Sequence, residues 1–375
     1  MQIALISVAP PYRGGISKHT SILVENLSKN HSVDVINYSR QYPDFLFPGK
    51  TQYLDDKSEN DNSSRMIDSI NPLTWFSTGN KLAKKNYDLV IFRFWNPFFA
   101  PALGVISGII KKKSSYTKLM SLCDNILPHE KTPFAYFLTT YLFDKLDGHI
   151  VQSSQTENEL QEVVENPVYE KRFHPIYTNF PKKIDKITAR KKLGLSAKNI
   201  ILYFGIIRDY KGFDILLNAI AELKDSGLDF HLLAGGECYG SDEKYTQLIS
   251  NLGISDYITW HNKYIPDSEV SNYFSAADVV ALPYRTASQS GVTQIAYSYD
   301  LPVIVTKVGG LPEIVDEGQS GFTIEPENPK ELANMLEKNL KAGKFLEMTT
   351  YIKKFKQKFS WEYFVNGIEL VYSKI

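Results

Sequence analysis

The sequence predicts an α/β protein made of two parallel-sheet units of similar size. Three observations carry this reading. The chain has 375 residues, more than the roughly 250–300 over which a single core keeps growing. Apolar strand-length runs alternate with helical periodicity, and the alternation occurs twice. Between the two series lies a seam, residues 166–183, where Pro167, Pro175 and Pro181 interrupt any helix.

In the first series Ile3–Val8, Ser32–Tyr38, Leu89–Phe94, Lys118–Leu122 and Gly148–Gln152 read as strands. Ser17–Lys29 and Phe134–Leu146 have helical spacing. Residues 43–68, rich in Asp, Asn and Ser, read as a long loop. Phe98–Ile110 reads as a buried helix whose basic end, Lys111-Lys112-Lys113, complements the helix dipole. The same lysines, with Trp95, Phe98 and Phe99, would also suit a face resting on an anionic membrane surface. In the second series Ile200–Phe204, Asp229–Ala234, Ile258–Trp260, Val279–Leu282 and Pro302–Val305 are the strands. Residues 359–372 place Trp361, Phe364, Ile368 and Val371 on one face of a docked amphipathic helix. The expected domains are 1–180, with the terminal helix 359–375 packing back on it, and 181–358. Two such units would leave a cleft at the carboxyl ends of their sheets.

Composition excludes several classes. The 42 basic and 42 acidic side chains cancel, which argues against a nucleic-acid partner. The only cysteines, Cys123 and Cys238, form no CxxC pair; a reducing, cytoplasmic setting is expected, without disulfide or cysteine metal site. The seven histidines show no HxH or HExxH spacing and predict no metal centre. The apolar start, Met1–Ala9, lacks a basic leader and cleavage context and reads as a strand. No run of about 18 apolar residues would span a membrane.

Four segments carry candidate chemistry. After Phe204, Gly205 ends a strand, Arg208 and Lys211 follow, and Gly212 opens a helix. A strand, a glycine turn, two cations and a helix N-terminus make an anion site suited to phosphate or diphosphate. After Leu282, the run through Ser288, Gln289, Ser290 and Gly291 into Val292 and Thr293 offers a second cradle of free N–H groups and hydroxyls. Gly309-Gly310, followed by Pro312-Glu313, is a third turn-to-helix element. In the first half, Gly14-Gly15 permits close backbone approach after the first strand. The stretch 123–130 gathers Asp124, Asn125, His129 and Glu130 at another strand end. The Gly14-Gly15 loop is not GxGxxG, so a nicotinamide dinucleotide is poorly supported.

These residues together resemble glycosyltransferase family 4, of the GT-B fold. The resemblance rests on Gly205…Arg208…Lys211-Gly212, the run Ala276–Pro283, Gly291 with its helix, and Pro302–Val305 leading to Gly309-Gly310…Glu313. Gly318…Gly321-Phe322 fits the hairpin that follows in that family, and the Gly14-Gly15 loop and the Phe359-Ser-Trp361 helix fit as well. The likeness is specific from about Ile200 to Glu325. It implies two Rossmann-like domains facing across a cleft, and a retaining, metal-independent hexosyltransferase that uses a nucleotide-sugar donor and no further cofactor. By the resemblance Lys211 holds the donor diphosphate, and Arg208 replaces an arginine expected where Ile206 stands. Gly14, Gly15, Gly205, Gly291, Val292 and Thr293 offer backbone to phosphate or sugar. Asp124 and His129 face the donor sugar or acceptor hydroxyl, and Glu313 caps a helix. Two family glutamates are replaced by Ser288 and Ala296; Gln289 or Gln294 would supply the lost hydroxyl contacts. Cys123 stands where relatives carry a histidine. The implied acceptor is a glycan or lipid-linked glycan in cell-surface polysaccharide synthesis, at the inner membrane face. A non-catalytic nucleotide- or glycan-binding partner protein and a nucleotide-sugar epimerase are the alternatives.

Overall fold

A computed structural model describes residues 1–43, 51–54, 63–127 and 134–375. The chain divides into two compact units, residues 1–175 with 360–375, and residues 176–359.

The first unit runs β1 (Gln2–Ile6), α1 (Gly15–Leu27), β2 (Ser32–Arg40), β3 (Ser64–Asp68), α2 (Pro72–Lys84), β4 (Leu89–Phe94), α3 (Ala100–Lys113), β5 (Lys118–Cys123), α4 (Ala135–Phe143), β6 (Gly148–Val151), α5 (Ser154–Val163) and β7 (Tyr169–Lys171). The described strands form a sheet ordered β3-β2-β1-β4-β5-β6-β7, and each pairing is parallel. The order reverses direction between β1 and β4, so this is a doubly wound sheet whose switch point lies just past β1. Residues 64–68 correct the expected long loop, because their backbone pairs with β2. Of the remainder of that stretch, 44–50 and 55–62 lie outside the described residues. The helix α2 went unread in the sequence, although Asn71 is its N-cap, accepting from Leu73 N, with Pro72 in the first turn.

The terminal helix Trp361–Lys374 belongs to this unit. Its apolar face packs against α1, β6 and β7. Close fit explains Gly148: a Cβ there would stand 2.5 Å from Val371 Cγ1. Arg172 Nε donates to the Tyr363 carbonyl at 3.2 Å, fixing the helix from the other side.

The second unit runs α6 (Lys186–Lys192), β8 (Asn199–Phe204), α7 (Phe213–Leu223), β9 (Phe230–Gly235), α8 (Glu243–Leu252), β10 (Ile258–His261), α9 (Asp267–Ala276), β11 (Val279–Leu282), α10 (Gly291–Ser298), β12 (Val303–Thr306), β13 (Gly321–Ile324), α11 (Pro329–Lys341) and α12 (Lys344–Phe355). Its sheet is ordered β10-β9-β8-β11-β12-β13, again parallel at each pairing. Here the reversal falls between β8 and β11. The expected hairpin at Gly318–Phe322 is corrected: Gly318 N donates to Gly321 O at 2.8 Å in a tight turn, and β13 then runs parallel to β12. Pro312–Ile314 makes a single 3-10 turn with no longer helix for Glu313 to cap.

β8, β11 and β12 are buried along nearly their whole length, as strands covered on both faces must be. Among the described residues no helix is long and apolar enough to cross a membrane.

Candidate functional site

The loops that follow β8 and β11 emerge side by side, because those strands are neighbours at the reversal of the second sheet. Doubly wound sheets leave a crevice at this place. After β8 the chain turns at Gly205, φ 100°, and Gly236 on the next strand's loop comes so close that a Cβ there would stand 1.9 Å from the Gly205 carbonyl. A 3-10 turn, Asp209–Lys211, then leads to Gly212 at φ 63°. Gly212 is required for two reasons. Its backbone is left-handed, and a Cβ would lie 1.9 Å from the Pro283 carbonyl oxygen. The lysine loop is therefore packed directly onto the end of β11.

Lys211 is half-buried, and its ammonium, 5.4 Å from the Tyr284 ring centroid, has neither hydrogen bond nor ion pair among the described residues. Burial, reinforced by the nearby Arg208 charge, pulls its ammonium down to about 8. Its Nζ lies 3.6 Å from the position a Gly205 Cβ would take, and Val292 Cγ2 lies 3.4 Å from the same point. Lys211 and the first turn of α10 thus meet over Gly205. That turn has no side-chain cap at Ser290, so its N–H groups and dipole remain available to an anion. Arg208 is exposed, its guanidinium 5.9 Å from the Tyr210 ring centroid. An unpaired ammonium beside the positive end of a helix is unfavourable by itself. An anion bound between them relieves it.

The remaining expected residues are distributed as follows. Val292 and Thr293 are buried in α10, and Gly291 backs onto Tyr177, whose hydroxyl would stand 3.0 Å from an added Cβ. Gln289 is half-buried, while the Gln294 amide is fully buried with neither its oxygen nor its nitrogen bonded. The Gly309-Gly310 turn joins the same region through Gly310 N, which donates to Ser288 O at 3.0 Å.

In the first unit, Gly14 (φ 112°) precedes α1, both Gly14 and Gly15 are exposed, and no side chain caps the helix. This loop follows β1 at the switch point of its own sheet. His129 and Glu130 lie outside the described residues. Asp124 has an occupation that the sequence did not suggest: it is buried, and both its oxygens bind Arg93, Nε–Oδ2 and Nη2–Oδ1 each at 2.7 Å, with Gln152 Nε2 donating to Oδ1 at 3.1 Å. Arg93 Nη1 also donates at 2.7 Å to His19 Nδ1. Arginine can only donate, so His19 is neutral with its proton on Nε2, a buried atom without a partner. Burial first, and then Arg93 and His174, hold its pKa well below the ordinary value. The rings of His174 and Trp361 complete this cluster, 4.7 and 4.8 Å from His19. A legible sign did exist: Arg93 is the single charge within the apolar run Leu89–Phe94. Cys123 is buried, and burial pushes its thiol up to about 12, which removes it from acid–base chemistry near neutral pH.

With this geometry in place, comparison with known proteins is informative. The family described as Glycosyl transferases group 1 matches residues 198–342, the segment holding the lysine loop and α10. That segment matches the group 1 glycosyl transferases, and the chain has the GT-B fold. An uncharacterized glycosyltransferase of Methanocaldococcus jannaschii is 26% identical over 100% of this chain and 99% of that protein. A D-inositol 3-phosphate glycosyltransferase of Segniliparus rotundus is 34% identical, over 40% of this chain and 35% of that protein. Among solved structures, Anabaena HepE in complex with UDP superposes with a TM-score of 0.73 at 16% identity, covering 100% of both chains; at that identity the likeness concerns the fold.

Proposed function

We propose that this protein is a retaining hexosyltransferase that moves a sugar from a nucleotide-sugar donor to a glycan or lipid-linked glycan acceptor, in cell-surface polysaccharide synthesis. The carrying observation is Lys211, an unpaired, half-buried ammonium held over Gly205 beside the uncapped first turn of α10. A nucleoside diphosphate is the anion that suits it. When the glycosidic bond to the donor breaks, negative charge grows on the departing diphosphate; Lys211, Arg208 and the N–H groups of Gly291, Val292 and Thr293 would meet that charge as it forms. Gly205 leaves room for the close approach. In the first unit Gly14-Gly15 offers backbone N–H groups. Asp124 acts in this reading through Arg93, which it orients, and direct contact with a sugar is left to His129.

No metal is needed in this scheme, because fixed cations neutralise the leaving group. Among the described residues no group of three or more His, Cys, Asp and Glu side chains could hold one. The test is incubation with a panel of UDP-, GDP- and dTDP-sugars, followed by anomeric analysis of the product by NMR. UDP-sugars come first, since HepE is known in complex with UDP. Transfer or donor hydrolysis with retained configuration, unchanged by EDTA, is expected. Interconversion of donors would instead mark an epimerase. Binding without turnover would mark a partner protein, and activity restored only by Mg²⁺ or Mn²⁺ would refute metal independence.

A cytoplasmic enzyme resting on the inner membrane face accompanies this reading. The side chains able to supply an apolar part of such a contact differ from the expected ones. Phe99 is buried and Trp95 and Phe98 are half-buried, at the start of α3, whereas the three lysines end it; 14 residues of helix put roughly 20 Å between them. Exposed aromatics of the first unit include Phe134, Tyr136 and Phe137 at the start of α4, Phe76 in α2 and Tyr116 just past the three lysines. Lys111 binds Asp147 at 3.0 Å and Lys113 binds Asn80, each bond at the protein surface. Near an anionic leaflet each lysine contributes about 1 kcal/mol. Co-sedimentation with anionic liposomes at low salt is therefore expected, reduced when the three lysines become glutamine. Equal binding to neutral liposomes would favour a soluble acceptor.

A further inference from the structure

The loop bearing Arg208 and Lys211 is short, and its own backbone bonds are two: Lys211 N to Arg208 O at 2.9 Å and Gly212 N to Asp209 O at 3.2 Å. Those bonds shape the turn without fixing its direction. Ile207, just before the turn, is tied to the loop after β9, with Ile207 N donating to Glu237 O at 2.9 Å and Tyr239 N donating to Ile207 O at 3.0 Å, and the turn itself is held by the loop after β11. Arg285 N donates to Tyr210 O at 2.7 Å. The Arg285 guanidinium grips Asp214, near the start of α7, with Nη1–Oδ1 at 2.9 Å and Nη2–Oδ2 at 2.6 Å. Nη1 also donates to the Asp209 carbonyl at 2.6 Å, and Nε donates to Glu327 at 2.5 Å.

We propose that Arg285 is a positioning residue for the transfer reaction: it ties the lysine loop and the start of α7 to the segment that continues into α10, and so sets the Lys211 ammonium against the first turn of that helix. This inference rests on the reading of Lys211 as the diphosphate ligand. Nε, both Nη atoms and the main-chain N–H of Arg285 are already engaged within the protein, which argues against Arg285 as a second phosphate ligand. A two-pronged grip on Asp214 together with a backbone carbonyl needs the planar fork of arginine; a lysine ammonium cannot reproduce it. Asp209, which lends its carbonyl, has its carboxylate held by Lys244 and Tyr245 of α8, so the turn is tethered on both sides.

The experiment is a double-mutant cycle on the full chain. Arg285→Gln is combined with Lys211→Ala, and kcat and KM for the donor are measured beside nucleoside-diphosphate affinity and thermal unfolding. Arg285→Gln in the parent should lower kcat by about 10–100-fold, the size expected when a catalytic group is misplaced by about an ångström. In the Lys211→Ala background the same change should cost less than about threefold, because the group it positions is gone. Arg285→Lys should recover little. Asp214→Asn, which loosens the same grip from the other partner, should repeat the pattern and serves if Arg285→Gln folds poorly. Equal losses in both backgrounds, or full activity in Arg285→Gln, would overturn the inference. A parent chain that binds no nucleoside diphosphate would overturn the reading of Lys211 beneath it, a result distinct from additivity.

Discussion

Lys211→Ala should lower sugar transfer by roughly 100–1,000-fold, the usual loss when one donor to a developing oxyanion is removed. The fold should survive, since the Lys211 side chain has no hydrogen bond or ion pair within the described protein to lose. Nucleoside-diphosphate binding should weaken as well. A second signature follows from its pKa, drawn down to about 8 by burial and by Arg208. The ammonium is charged below that value and neutral above it, so affinity for UDP or GDP should hold from pH 6 to 7.5 and fall beyond about pH 8. In Lys211→Ala that fall should vanish. A folded Lys211→Ala protein with near-normal turnover, or an affinity flat from pH 7 to 9 in the parent, would remove Lys211 from the site.

The first unit should lose stability steeply in mild acid. His149 and His174 are both buried, and burial is the leading cause that lowers each to about 4 from an ordinary 6.5. His149 shares a 2.8 Å hydrogen bond with Ser121 and stacks on Phe143. His174 lies against His19, near Arg93, whose charge lowers it further. The sign follows from which state takes the proton first. The unfolded chain binds it near 6.5 and the folded chain only near 4, so stability is complete above about pH 6.5 and falls as pH drops toward 4. One pKa unit corresponds to about 1.4 kcal/mol, so each histidine costs about 2 kcal/mol at pH 5 and about 3 kcal/mol at pH 4. Urea unfolding at pH 7 and pH 5, followed by a probe in the first unit, should show the loss. His149→Asn and His174→Asn should be less stable at pH 7 and less sensitive to the change. A midpoint that is flat between pH 7 and 5 would refute it.

The legibility of this chain differs by kind of residue. Buried parallel strands announce themselves: Leu89–Phe94 and Val279–Leu282 were read with their observed limits, because a strand covered on both faces is a continuous apolar run. The edge strands of the first unit do not. Ser64–Asp68 and Tyr169–Lys171 mix charge with apolar residues, since one side of each meets solvent or a helix end, and neither was read. The hairpin expected at Gly318–Phe322 came from the family resemblance and not from the residues themselves. Which neighbour the strand joins is decided by β12, well outside the turn.

For the site, the sequence by itself determined the chemistry on offer. Glycines at 205 and 212, cations at 208 and 211, and the small residues before α10 each follow a strand, and strand ends are where a doubly wound sheet collects its ligands. The tertiary structure decided which of these groups act together. The Lys211 ammonium pairs with no carboxylate among the described residues, whereas Asp124, equally polar in the sequence, is spent on Arg93. Arg285 lies 74 positions beyond Lys211 in the chain, yet it governs the lysine loop, because β8 and β11 are neighbours in the sheet. A charged side chain has the same identity in either role. Whether it meets a ligand or a partner depends on which residues the sheet order brings within about 3 Å of it, and spacing along the chain does not encode that order.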